Sequence, residues 1–308
     1  MRPATLVSLA DKHGLRLPEA LTRSWPPTLS ATDERGWFRF QRLYDTARAC
    51  VRDEADMRRI VREAALDDAA EGSRWLEIQV DPTSYAPFVG GITPALEIVL
   101  DEARSASAEI GIGVAVVVAA NRIRHPLDAR SLARLAALHA GEGAGRVVGF
   151  GLSNAFDIAR RAGLACVPHG GELLGAEAVS ETLAALDPDR VGHGIRSAED
   201  PRVLAEVVDR GVTLEVCPGS NVALGVYASD EDVPLRHLME AGAQIALGAD
   251  DPLLFGSRLN AQYETARSVH GLTDAELANL AQGSVRGSRA PQHVKSQMLA
   301  AIDHWLVD

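Results

Sequence analysis

Short β-branched runs alternate along the chain with Ala/Leu/Arg-rich stretches whose apolar residues recur at helical spacing. The runs predict strands over WLEIQV (75–80), EIGIGVAVVV (109–118), RVVGFGL (146–152), LACVPH (164–169), RVGHG (190–194), VTLEVCP (212–218) and QIALGADD (244–251). Between them, PALEIVLDEARSA, DARSLARLAALHA, AEAVSETLAAL, PRVLAEVVDRG and PLRHLMEAG predict helices. Strands alternating with helices imply parallel pairing through right-handed crossovers. Burial on both faces accounts for strands that read as continuous apolar runs. A doubly wound sheet and a (β/α)8 barrel both fit this order. The polar residues decide for the barrel, because they fall at the C-terminal ends of many successive strands rather than at one switch point. Seven strands are predicted where a barrel needs eight, and the region 3–69 reads as helical. The expected fold is therefore α/β, one domain over 1–308, a (β/α)8 TIM-type barrel lacking the first strand in this chain.

Composition narrows the class of partner. The 308 residues include 46% apolar and 24% charged positions, the balance of a soluble globular protein with a sizeable core. A formal net charge of -11 argues against nucleic acid and against an anionic membrane surface, and favours a small-molecule partner. Cys50, Cys166 and Cys217 are far apart and form no CxxC pair, which points to a reducing cytoplasm and away from a thiolate zinc site. The opening MRPATLVSLADKHGL lacks the apolar core of a signal peptide, and the longest apolar run, around 110–120, is too short to span a bilayer. Assembly into a homo-oligomer is left open.

Strand ends supply Glu77, Gln79, Asn154, His169, Glu172, His193, Asp250 and Asp251. Singly, each has an ordinary explanation. A histidine beside a strand is commonly a structural group, and Asp251-Pro252 is an ordinary helix start with Asp as N-cap and Pro following. Jointly they suit metal-assisted hydrolysis. A neutral imidazole (His169) and a carboxylate (Asp250) fit a zinc ion, which brings the pKa of bound water to roughly 7. His193 and Asp251 would orient and deprotonate that water, and Glu172 would donate a proton to the substrate. Consecutive strand residues point to opposite sides, so Asp250 and Asp251 take different roles unless the strand has ended. Gly170 and Gly171 would let backbone pass close to a flat heterocycle.

Four stretches, HGGE (169–172), VGHG (191–194), LEVCPGSN (214–221) and GADDPLLF (248–255), resemble in this order the adenosine deaminase family of the amidohydrolase superfamily. The family's usual forms are HAGE, GHG, CPxSN and TDDP. The resemblance continues through MRPATLVSLADKHGLRLP at the start and SVRGSRAPQHVKSQMLAAIDHW near the end. It implies a Zn2+ ion on His169 and Asp250, Glu172 protonating purine N1, and His193 positioning a hydroxide. Asp251 would contact both the water and purine N7. Attack at C6 would release ammonia. Asn154 stands near the fourth strand's end, where the family contacts purine N3, and it joins Gly171 and Asp251 as an expected substrate contact. The implied substrate is a purine nucleoside of the adenosine or aminodeoxyfutalosine type, with free adenine also in range. EIQVDPTSY (77–85), GFGLSN (149–154) and HGGELLG (169–175) lie nearer the aminodeoxyfutalosine-type members.

One departure limits this. The family takes two further zinc ligands from an HxH motif at the end of its first strand, and this chain has no HxH. His13 lies on the first predicted helix and should point elsewhere. A protein zinc site normally has three or four protein ligands. Two alternatives follow: a chain that starts just after that strand, or a metal-poor family member that binds a nucleoside or a partner without catalysis.

Overall fold

A strand forms within each predicted segment in the computed structural model, which describes residues 1–23, 25–27, 34–121, 125–151 and 156–307. Glu109 and Ile110 of the segment 109–118, however, end the preceding helix, which Gly111 caps, and that strand starts at Gly113. In chain order the strands are β1 (Trp75–Val80), β2 (Gly113–Ala119), β3 (Val147–Gly151), β4 (Ala165–Cys166), β5 (His169–Gly170), β6 (Arg190–His193), β7 (Thr213–Val216) and β8 (Gln244–Leu247). All pairings are parallel, in two sheets ordered β1-β2-β3-β4 and β5-β6-β7-β8.

β4 and β5 come from the one predicted segment 164–169. Pro168, which carries no N–H, interrupts the ladder between them. The interruption still joins the two sheets. Val167 N–H donates to Phe150 O at 2.9 Å on one side, while Pro168 O accepts from Gly192 N–H at 2.8 Å on the other. The strands thus form an arc of seven segments with helices between, a barrel arrangement whose outer members are β1 and β8. Among the described residues nothing pairs with the outer edge of either strand. Burial follows this position: Val114–Val118 of β2 are all buried, whereas β1 is half-buried or exposed along its length.

Alternation sorts side chains to two faces. Leu76, Ile78, Val80, Val114, Val116 and Val118 join the large core beneath the helices. Their alternates, Trp75, Ala115 and Val117, pack instead with Val148, Ala165 and Val167 inside the arc. The same inner face carries charge at its N-terminal end. Arg190 Nη2 lies 2.6 Å from Glu77 Oε2, and Arg190 Nε lies 2.9 Å from Glu215 Oε1. Glu77 also accepts from Trp75 Nε1 and from the Arg289 backbone N–H. Burial alone would push Glu77 up and Arg190 down, yet their pairing holds the carboxyl low and the guanidinium high. Glu77, a strand residue counted above among the candidates for chemistry, is therefore committed to a structural ion pair.

The region before β1 is helical, as expected, with helices Pro3–Lys12, Glu34–Arg48 and Glu54–Ala70. It lies over the short helix Pro252–Phe255 that follows Asp250 and Asp251: Phe40 stacks on Phe255 at 5.8 Å, and Trp25 Nε1 donates to Leu253 O at 2.6 Å. His13, at the C-terminal end of the first helix, contacts Asp56 Oδ2 at 2.6 Å, and Lys12 bridges Asp53 and Asp56. Burial opposes ionisation of Asp56, but hydrogen bonds from Lys12, the Arg52 N–H and His13 outweigh it and lower its pKa to about 2. A carboxyl depressed in the folded state stabilises above its unfolded pKa, and that stability is lost as pH falls through the folded value. Wild type should lose an increment of stability between about pH 4 and 2, and Asp56→Asn should lack that increment throughout. Unfolding midpoints measured across this window check the prediction; parallel pH profiles would contradict it. Among the described residues, no helix is long and apolar enough to cross a membrane.

Candidate active site

The C-terminal ends of β5, β6, β7 and β8 bring the predicted polar residues to one rim. His169 opens β5 and pairs in register with Gly192 of β6. A Cβ on that glycine would stand 3.0 Å from His169 Nδ1 and would crowd the imidazole. His193 follows directly, with its ring centroid 5.3 Å from that of His169. Its φ of +63° ends β6 and turns the imidazole out of strand alternation. His193 Nε2 is 3.6 Å from Glu172 Oε1 and 3.9 Å from Asp250 Oδ2. Four of the expected residues, His169, Glu172, His193 and Asp250, therefore meet.

Asp250 lies three residues beyond the end of β8 and has a φ of +53°. The strand has ended, so the alternation rule does not separate the two aspartates; this left-handed turn does. Asp251 N-caps the helix Pro252–Phe255 by accepting from Leu253 N–H at 3.0 Å. The ordinary helix-start reading thus holds for Asp251, and one of its oxygens is already engaged. Gly171 adopts φ +64°, and a Cβ there would come within 2.4 Å of Val179. Its close approach is to the helix Ala176–Leu186, which accounts for glycine at that position. Asn154 lies outside the described residues. Arg196, on the 3-10 turn Ile195–Glu199 after β6, is taken up by Glu199 and the Leu173 carbonyl.

Two residues of the CPGSN stretch enter the site without having been singled out. One ligand atom each from His193, Cys217 and Asp250 lie within 4.8 Å of one another. Ser220 Oγ donates to Asp250 Oδ2 at 2.7 Å. The signal for Cys217 was its parity with Thr213 and Glu215 on β7, which predicts an inward side chain at the strand's end. Ser220 lies beyond the strand, on the helix Pro218–Ala223, where strand parity gives no guidance.

The donor chemistry fits a divalent metal ion. Burial, then the neighbouring His193, pushes the His169 imidazole pKa down, which favours the neutral ligand form. His193 is buried and its Nδ1 has no partner among the described residues. Burial raises the Cys217 thiol well above its usual range, and it raises the Asp251 carboxyl too. A carboxylate and two imidazoles at one strand rim can hold a cation, and Glu172 beside them can exchange a proton with a bound molecule.

Known proteins place this arrangement. The adenosine deaminase family model matches residues 1–305. A Streptomyces virginiae protein named as an adenosine/adenine deaminase is 62% identical over 99% of this chain and 93% of its own length. An adenine deaminase of Rhizobium leguminosarum is 33% identical over 85% of this chain and 84% of its own. The crystal structure of an adenine deaminase from Arthrobacter aurescens superposes with a TM-score of 0.89 at 27% identity, covering 100% of this chain and 95% of that one. With a barrel rim carrying HGGE, GHG, CPGSN and ADDP in order, the chain belongs to the adenosine deaminase family.

Proposed function

We propose that this protein hydrolyses the exocyclic amine of a 6-aminopurine, releasing ammonia and leaving the 6-oxopurine. The observation that carries the reading is the meeting of His169, Glu172, His193 and Asp250 at adjoining strand ends, with His193 Nε2 3.6 Å from Glu172. His169 and Asp250 would hold a zinc ion. Zinc there would supply Lewis acidity, making water acidic enough to attack near neutral pH. His193 would orient the attacking water, and Asp251 would take up its proton and, so protonated, donate to purine N7. Glu172 would deliver a proton to ring N1. The water oxygen bonds to C6, the C6–N bond breaks, the amino group departs as ammonia with the proton held by Asp251, and the remaining hydroxyl proton returns to the Glu172 carboxylate.

The substrate is framed by the relatives. One is named for both adenosine and adenine, and another for adenine alone. Free adenine therefore stands beside the nucleoside expected from sequence. The test is a zinc-reconstituted preparation offered adenine, adenosine and aminodeoxyfutalosine in parallel, followed by ultraviolet absorbance and ammonia release. Turnover of at least one is expected, with loss on chelation and recovery on adding zinc. Zinc binding without turnover of any would favour the non-catalytic binding role instead.

A further inference from the structure

We infer that Ser220 is a positioning residue for Asp250, and that its hydroxyl sets how tightly the site holds its metal ion. The inference rests on the proposed role of Asp250 as a metal ligand.

Asp250 sits outside any regular element, at φ +53°, so neither helix nor strand geometry fixes its carboxylate. Ser220 does so directly. Its Oγ, buried with the rest of the residue at 1% exposure, donates to Asp250 Oδ2 at 2.7 Å. A charge-assisted hydrogen bond of this length, from a buried donor, restrains rotation of the acceptor carboxylate. Ser220 is restrained in turn. The Gly219 backbone N–H donates to Gln262 Oε1 at 3.0 Å, and Gln262 Nε2 donates to Ser257 Oγ at 2.6 Å. Gln262 is itself 2% exposed. Space at Gly219 is matched to this contact, since a Cβ there would lie 3.1 Å from Gln262 Nε2. With the backbone of Gly219-Ser220 and of 250–257, these bonds complete a circuit. They tie the segment after β7 to the segment after Asp250, with the carboxylate at the closing link. No other part of the proposed mechanism uses Ser220, Gln262 or Ser257.

Partners that hydrogen-bond a ligating carboxylate orient it, and their loss costs about 10–100-fold in metal affinity. A zinc titration of the metal-free full chain, in competition with a chelating indicator, reads this without reference to turnover. Ser220→Ala should bind zinc about 10–100-fold more weakly than wild type, with the unfolding midpoint of the metal-free protein unchanged. Gln262→Met, which cuts the circuit one link earlier, should weaken zinc in the same direction. Asp250→Ala should lose the ion. Wild-type affinity in both Ser220→Ala and Gln262→Met, beside loss in Asp250→Ala, would overturn the positioning role and leave the proposed function standing. Full zinc retention by Asp250→Ala would overturn the ligand assignment itself.

Discussion

Glu172→Gln should retain the metal content of wild type and lose turnover by ~100-fold or more. The substitution keeps the size and shape of the side chain but removes the acidic proton, so it separates proton donation from binding. The position suits the role. Glu172 follows the Gly170-Gly171 turn, its carboxylate lies 3.6 Å from His193 Nε2, and its side chain remains 20% exposed toward the rim. A group that donates to a bound heterocycle must be reachable from the pocket, and a purely structural carboxylate at this rim would be expected to have its oxygens engaged. Asp251 provides the contrast, because its carboxylate already caps a helix. Glutamine at 172 should leave KM within a few-fold of wild type, since the chemical step is what suffers. Near-normal kcat in that variant would remove Glu172 from the mechanism.

Arg190→Ala should be the most destabilising single change, lowering the free energy of unfolding by about 3–5 kcal/mol, because it leaves the Glu77 charge buried and uncompensated. Arg190 links β6, in one sheet, to Glu77 on β1, in the other. It also donates through Nη1 to Gly287 O at 3.0 Å, while Arg289 N–H donates to Glu77. One side chain therefore joins both sheets and the C-terminal end of the helix Asp274–Gly287. Removing both charges at once is a different matter, since a buried ion pair replaced by apolar groups of similar volume is often neutral. Arg190→Met combined with Glu77→Leu should recover much of the loss. Urea midpoints for the single and paired variants decide this, and a single variant as stable as wild type would contradict it.

Much of the fold was legible because its signals are local. The runs over 75–80, 190–194 and 212–218 contain β1, β6 and β7 in full, and the helical stretches fell where helices form. Apolar continuity marked both-face burial, and polar residues marked the rim. The division of 164–169 into β4 and β5 was written in Pro168, but only pairing to two different neighbours shows that the break joins the sheets. The opening before β1 was visible as a count of seven.

The site was less evenly legible. His169, Glu172, His193 and Asp250 stand at strand ends, and the family resemblance assigned them roles. Cys217 was passed over because a lone thiol without a CxxC partner gives no metal signal by spacing, although it ends an inward-facing series on β7. Ser220 and Gln262 are polar residues on helices, connected through the Gly219 N–H, which donates to Gln262 across 43 positions, a contact that no periodicity encodes. Arg190 and Glu77 are separated by 113 positions, so their pairing likewise belongs to the tertiary structure alone. Glu77 shows the opposite error, in which a charged residue near a strand's end suggested chemistry and proved to be part of the scaffold.

The claim on which the account turns is that this rim directs water onto C6 of a 6-aminopurine. The most direct measurement is product mass after incubating the zinc-loaded protein with adenine, adenosine and aminodeoxyfutalosine in water enriched in heavy oxygen. The expected product is a 6-oxopurine carrying solvent oxygen, with ammonia released in equal amount. All three purines recovered unchanged from a fully zinc-loaded protein would contradict it.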